Sequence, residues 1–378
     1  MNPSKLFHDF FESEKAGGLV LVFVTAVSLV LANSPWHAGY ASLWHLELAG
    51  HHLAHWINDG LMTIFFLLIG LELEREIYQG ELSDLKKAAL PIFGAMGGML
   101  VPAGIFLLLN CGTPTQSGAG IPMATDIAFA IGILSLLGNR IPLSLKVFLT
   151  ALAVIDDLGA ILVIAVCYTS SLSFLNLSIA LLIFGLLLML NRLKINKLLP
   201  YLVGGVAMWY FMLQSGVHAT ITGILLAFAI PFGDGNEDSI SYRLQHFLHR
   251  PVAFVILPLF AMANTNIAFG SSEFSLDSRN SLGIVLGLVI GKPLGIVLFS
   301  YIGTYLRWCA LPGDLKWKNI LGAAMLGGIG FTMSIFITLL AFDGESVVTE
   351  SKIAILVASV VSGVLGFVYL RLTTKKAA

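Results

Sequence analysis

The chain has 378 residues, of which 57% are hydrophobic and 11% charged, with a formal net charge of −1. So much apolar surface exceeds what a water-soluble fold can bury, and the balanced charge carries no nucleic-acid signal. A polytopic membrane protein is expected, and a soluble enzyme or nucleic-acid binder is excluded.

Apolar runs near residues 17–33, 54–73, 88–109, 121–138, 143–167, 173–191, 198–213, 216–231, 251–269, 283–302, 319–341 and 352–370 predict twelve spans. The fold class is therefore an all-α membrane protein, with residues 1–378 forming a single polytopic membrane domain. The first run has charged flanks and no small-residue cleavage site, so it reads as a retained span. Three cysteines, Cys111, Cys167 and Cys309, are scattered and odd in number, which implies no disulfide framework.

Basic residues provide an independent check on the spans, because cytoplasmic loops carry the positive charge. Lys5 and Lys15 precede the first span; Arg75, Lys86 and Lys87 follow the second; Arg140 and Lys146 the fourth; Arg192, Lys194 and Lys197 the sixth. Arg243 and Arg250 follow the eighth, Arg307, Lys316 and Lys318 the tenth, and Arg371, Lys375 and Lys376 form the tail. Only Arg279 and Lys352 fall on the other side. Both termini are thus expected in the cytoplasm. Lys292 alone is placed at membrane depth, where it needs a partner.

Two spans carry helix-breaking residues. In the fourth, Pro122 stands just before Thr125 and Asp126, and the prolyl ring removes a backbone donor. In the eleventh, Gly327, Gly328 and Gly330 cluster with Thr332 and Ser334. Such breaks are tolerated in a membrane only beside protein or a water-filled cavity. Each interrupted span is the middle of a triplet, spans 3–5 and 10–12, and the triplets start on opposite sides. That is the pattern of an inverted-topology repeat, whose core covers about 88–169 and 283–372. Span ten carries glycines at 283, 287, 291 and 295, a stripe permitting close helix approach.

The tandem acids Asp156 and Asp157 lie in an otherwise uncharged run, Ala151–Val166. Each ionised carboxylate at a span centre costs roughly 2.5 to 3.5 kcal/mol, so the pair signals function. Neighbours on a helix point about 100° apart, so one acid can hold an ion while the other pairs with Lys292. Asp126, Asp156 and Asp157 against one lysine leave a negative excess that protons or a cation must neutralise. Sodium suits such oxygen ligands, and Thr125 with freed carbonyls near Asp126 supplies more.

Asp59 and Glu72 lie near opposite ends of span two, where Glu72 and Arg75 are three residues apart and positioned to pair. His218, apolar-flanked at a span start, reads first as a hydrogen-bonded packing residue. His51, His52 and His55 in the first external loop include an i, i+4 pair, but no further ligand completes a metal centre. An intramembrane aspartyl protease also uses two membrane aspartates, but its Gly-x-Gly-Asp signature is missing here. A sodium-coupled symporter of organic anions would need a further basic anchor in spans ten and eleven.

The segments Gly120–Ala130, Val154–Ile161, Ser215–Thr220, Ile290–Ile296 and Gly328–Phe336 resemble, in order, the motifs of the NhaA family of bacterial Na⁺/H⁺ antiporters. The resemblance covers nearly the whole chain, and this family is itself among the transporters from which the paired-interruption rule is drawn. It implies twelve helices with two inverted repeats whose middle helices unwind and cross. It further implies electrogenic exchange of Na⁺ or Li⁺ for H⁺, with pH-dependent activity and no cofactor. By motif, Asp157 resembles the principal cation-binding carboxylate and Asp156 the proton-linked acid that pairs with Lys292. Asp126 and Thr125 resemble residues at the helix crossing. Glu72, Arg75 and Glu76 resemble a cytoplasmic pH-sensing region, joined by His246 and His249, and His218 resembles a histidine affecting pH response. The chain departs from the family pattern at Tyr242 and Gln245, which stand for lysine and glutamate. The first external loop is also short for the β-hairpin through which family members form homodimers.

Overall fold

The computed structural model describes residues 3–48, 50–168, 172–268 and 277–374. Lys375 and Lys376 of the basic tail lie outside them, as does the last residue of the 251–269 run. In chain order the helices are α1 (Pro3–Ala32), α2 (His37–Trp44), α3 (Leu53–Tyr78), α4 (Leu85–Asn110), α5 (Ile127–Leu136), α6 (Leu143–Cys167) and α7 (Phe174–Arg192). They continue with α8 (Leu198–Leu213), α9 (Ile221–Ala229), α10 (Ile240–Asn264), α11 (Arg279–Tyr305), α12 (Trp317–Gly327), α13 (Phe331–Ala341) and α14 (Glu345–Thr373). A 3₁₀ stretch, Gln116–Met123, precedes α5. The only sheet among the described residues is a hairpin of β1 (Glu47–Leu48) and β2 (His51–His52), paired Glu47 to His52, with Gly50 at φ 86° in its turn.

Among the described residues nine helical segments are long and apolar enough to cross a bilayer, or ten when α12 and α13 count as one span bent by 47°. The helix α8 has 16 residues and α9 has 9. Both are apolar yet shorter than the roughly 20 residues that a hydrocarbon core of about 30 Å requires.

The chain divides into two compact units. The first comprises Met1–Tyr40, Asp84–Ala160 and Asn264–Ala378. Its densest packing joins α4 to α11, where a side-chain carbon at Gly97 or Gly295 would collide with the other's carbonyl. The glycine stripe of α11 is thus a packing seam: Gly283 meets Phe106, Gly291 meets Pro102 and Gly295 meets Gly97, all on α4, while Gly287 meets Pro122. One π turn, Gly287–Gly291, precedes Lys292, whose N–H reaches back five residues to Gly287 O. Such turns occur most often at functional positions. On α1, Gly18 lies against the carbonyl of Ala128, so α1 buttresses α5.

The second unit comprises Ala41–Ser83 and Ile161–Ala263. In it α3 and α9 cross at Gly70 and Gly223, each facing the partner helix closely enough that any side chain would clash.

Candidate functional site

Two interruptions face each other inside the first unit. After the 3₁₀ stretch the chain is extended at Ala124 (φ −81°, ψ 153°) and Asp126 (φ −79°, ψ 100°), and then enters α5. Between α12 and α13 the break falls at Gly328–Gly330. Each break satisfies backbone groups that the other exposes. The N–H of Asp126 donates to Ile329 O at 2.7 Å, the Thr125 hydroxyl stands 2.9 Å from Gly327 O, and the Ser334 hydroxyl donates to Ile121 O at 2.7 Å. Polar backbone away from water has to be paired in this way.

Asp126 caps two helices at once. Its Oδ1 accepts the Phe129 N–H of α5 at 2.9 Å, and its Oδ2 accepts the Thr332 N–H of α13 at 3.0 Å and the Thr332 hydroxyl at 2.5 Å. A carboxylate between two helix N-termini sits where both dipoles favour negative charge. The first N–H of α13, from Phe331, donates to Ser359 Oγ of α14 at 3.1 Å.

Lys292 serves the opposite polarity. Its Nζ donates to Met123 O, at the C-terminal end of the 3₁₀ stretch, and lies 2.8 Å from Asp156 Oδ2. The same carboxylate oxygen is 2.9 Å from the Thr125 hydroxyl, while Asp156 Oδ1 is buried with no hydrogen-bond partner among the described residues. Asp157, also fully buried, lies within electrostatic reach of Lys292. The structure thus brings together Asp126, Asp156, Asp157, Thr125 and Lys292. Of the three acids, one is balanced by Lys292, and the helix ends offset Asp126. The remaining negative charge calls for a proton or a hard cation, because uncompensated charge in a dry interior is costly.

The sequence marks Thr332 and Ser334 only as members of a break. It gives no sign of Ser359, since a serine in a long apolar helix carries no signal until the helix it caps is in place.

The residues assigned to pH sensing lie in the second unit. Arg75 reaches a second helix: its guanidinium stacks 4.5 Å above the Tyr242 ring and Nη1 donates to Gln245 Oε1 at 3.0 Å. Glu72 faces His249, Oε1 to Nδ1 3.9 Å, and His246 stacks parallel to Tyr242 with ring centroids 6.2 Å apart. Glu76 is half-buried one turn beyond Glu72 on α3. His218 joins a different neighbourhood, with Nε2 2.8 Å from Tyr168 O and Asp59 nearby. Near Asp59, His55 Nδ1 is 2.9 Å from Asp59 Oδ2 and stacks on His51 at 4.4 Å. A residue that sequence reasoning misses is Glu74, 4% exposed, with the Ser241 hydroxyl 3.5 Å from its Oε2. Its position in the run Glu72-Leu-Glu74-Arg75-Glu76 makes it only one of several acids.

Over residues 8–370 the chain matches the family described as Na⁺/H⁺ antiporter 1. It is 68% identical to Na⁺/H⁺ antiporter NhaA 1 of Flavobacterium johnsoniae, covering 100% of both chains. It is 60% identical to Na⁺/H⁺ antiporter NhaA of Cytophaga hutchinsonii, over 100% of this chain and 97% of that one. Among solved structures it resembles the sodium proton antiporter MjNhaP1 from Methanocaldococcus jannaschii, with a TM-score of 0.56, 15% identity and 99% of each chain covered. That last likeness concerns the fold alone. A match through almost the whole length, together with full-length relatives of such identity, has one reading: the chain belongs to the Na⁺/H⁺ antiporter 1 family.

Proposed function

We propose that this chain is an electrogenic, secondary active antiporter of the bacterial inner membrane, exporting Na⁺ or Li⁺ in exchange for protons. The observation that carries the reading is the buried Lys292–Asp156 pair at 2.8 Å, set beside Asp157 and between two interrupted helices. In this reading Asp157 is the principal cation ligand, with Asp156, Thr125 and carbonyls of the breaks contributing oxygens. Asp126 holds the two half-helix ends in place. Cation and protons compete for the same carboxylates. Discharging two protons, one from each acid of the pair, to admit one monovalent cation moves net charge.

Alternating access then exposes the site to each side in turn. The twelve-span, inverted-repeat organisation, with both termini in the cytoplasm, is the topology this reading assumes, with α8 and α9 as its two short members. Glu72, Arg75, Glu76, His246 and His249 tune activity to cytoplasmic pH in this scheme, and His218 adds to the response. Proteoliposome dequenching tests the core of the reading. Asp157→Asn is expected to abolish sodium-dependent proton movement, and undiminished movement would overturn it.

A further inference from the structure

The second unit carries a groove of about 890 Å³, walled by α3, α8, α9, α10 and Leu48 of the hairpin. That volume lies within the roughly 300–1,000 Å³ of sites that take small molecules. The buried Ile57, Leu67 and Leu226 form its floor, and Leu48 and Val206, 60% and 68% exposed, form its rim. No charged side chain lines it among the described residues. An ion or a charged metabolite would find nothing there to hold it, so the occupant is apolar over most of its surface.

Polar atoms in the wall narrow the occupant further. The rings of Trp56 and Trp209 face each other with centroids 6.1 Å apart, yet only Trp56 is satisfied within the chain, its Nε1 donating to Leu48 O at 2.8 Å. Trp209 Nε1 is buried with no hydrogen-bond partner among the described residues. The same contrast separates two threonines of the wall. Thr63 donates to Asp59 O, whereas Thr222 is 1% exposed and its Oγ1 has no partner among the described residues. Burying a donor without an acceptor is costly, and buried indole N–H groups usually have one. An indole nitrogen can only donate and a hydroxyl can donate, so an occupant that brings acceptor oxygens satisfies both.

Tryptophans settle where the hydrocarbon of a bilayer meets its headgroups, and Trp44, Trp56 and Trp209 all line this groove. Ester carbonyls of phospholipids lie at the same depth. We propose that the groove is a phospholipid site, in which an acyl chain lies along the apolar floor and ester oxygens accept from Trp209 Nε1 and the Thr222 hydroxyl. A helix from a second copy of the chain would fill the floor equally well, but its carbonyls are already taken by its own N–H groups. Gly60 keeps the groove open. A side-chain carbon there would meet only the Trp56 ring, at 3.8 Å, so a longer side chain grows into the space that the lipid needs.

The test places the full chain in vesicles of phosphatidylethanolamine and phosphatidylglycerol, doped with a phosphatidylglycerol whose acyl chain bears a diazirine. After illumination, labelled residues are mapped by mass spectrometry. Labelling at Leu202 and Val206 is expected to exceed that at Leu182 and Leu186 of α7, which are exposed but outside the groove. Gly60→Leu should bring groove labelling down to the α7 level. Trp209→Phe combined with Thr222→Val should lower it by about threefold or more, the worth of one hydrogen bond. Equal labelling of the groove and α7 in the wild type would mean ordinary bilayer contact and overturn the proposal, and unchanged groove labelling in either variant would do the same. Labelling confined to monomers, with the groove protected in dimers, would assign it to a second copy and also overturn the proposal. Should Gly60→Leu fail to fold, Val206→Trp on the exposed wall replaces it, with Leu202 as the position read.

Discussion

Lys292 Nζ and Asp156 Oδ2 are 2.8 Å apart, and both side chains are completely buried. A pair in that setting is defined by what happens when one member is lost. Removing one partner of a buried ion pair costs about 3–5 kcal/mol, because the other charge is left stranded. Lys292→Met is expected to unfold at clearly lower temperature in a tryptophan-fluorescence melt. Lys292→Met combined with Asp156→Asn should recover most of the loss. A double variant no more stable than the single one would show that the pairing is not what holds this region.

Asp126 offers a finer measurement, since its two oxygens serve two different helices. An amide has one acceptor oxygen, so Asp126→Asn can replace only one cap. Each lost cap costs about 1 kcal/mol. Hydrogen exchange should quicken at the amide of Phe129 or of Thr332 in Asp126→Asn, and at both in Asp126→Ala.

The seam between α4 and α11 predicts a contrast between two glycines of one helix. Gly97→Ala sets a methyl against the Gly295 carbonyl, whereas a side-chain carbon on Gly104 would meet nothing within 4 Å. Overpacking costs about 1–3 kcal/mol. A helical glycine with open space around it gains up to about 1 kcal/mol on becoming alanine. Thermal melts should therefore move in opposite directions for Gly97→Ala and Gly104→Ala.

Neutral residues at 242 and 245 still hold Arg75, one through its ring and the other through its amide oxygen. Gln245→Glu would add a negative charge beside Arg75 on the helix that carries His249. Negative charge favours proton binding by its neighbours. The rise of transport activity should move toward higher pH relative to wild type, measured by dequenching across a pH series. A profile that does not move would remove this cluster from pH control.

The parts of the fold that local chemistry determines are legible in the sequence. Pro122 before Asp126 and the glycines at 327, 328 and 330 announce the two breaks, and the lone midplane lysine demands an acid partner. What is not legible depends on contacts between distant segments. Nothing around Asp126 says that its second oxygen caps α13, 206 residues later, because that cap exists only once the breaks meet. Glu72 and Arg75 have the spacing of a helix pair, but nothing in that spacing shows that the Arg75 guanidinium also reaches the Tyr242 ring and the Gln245 amide oxygen on another helix. The apolar run at 198–213 is helical over all of its 16 residues, whereas only 9 residues of the run at 216–231 form a helix. Hydropathy records where a segment prefers to be and not how far the helix continues.

The backbone contact of Gly97 with Gly295 sets a mechanical limit on the molecule. With each peptide oxygen lodged where the other residue's side chain would be, α4 and α11 cannot slip lengthwise past one another without first prying apart. They behave as a keyed joint, and Lys292, three residues before Gly295, rides with it. Any stroke that parts the ammonium from Asp156 must therefore come from rotation about the lysine's own four-carbon stem, from movement of α6, which carries the carboxylate, or from the joint travelling as one body.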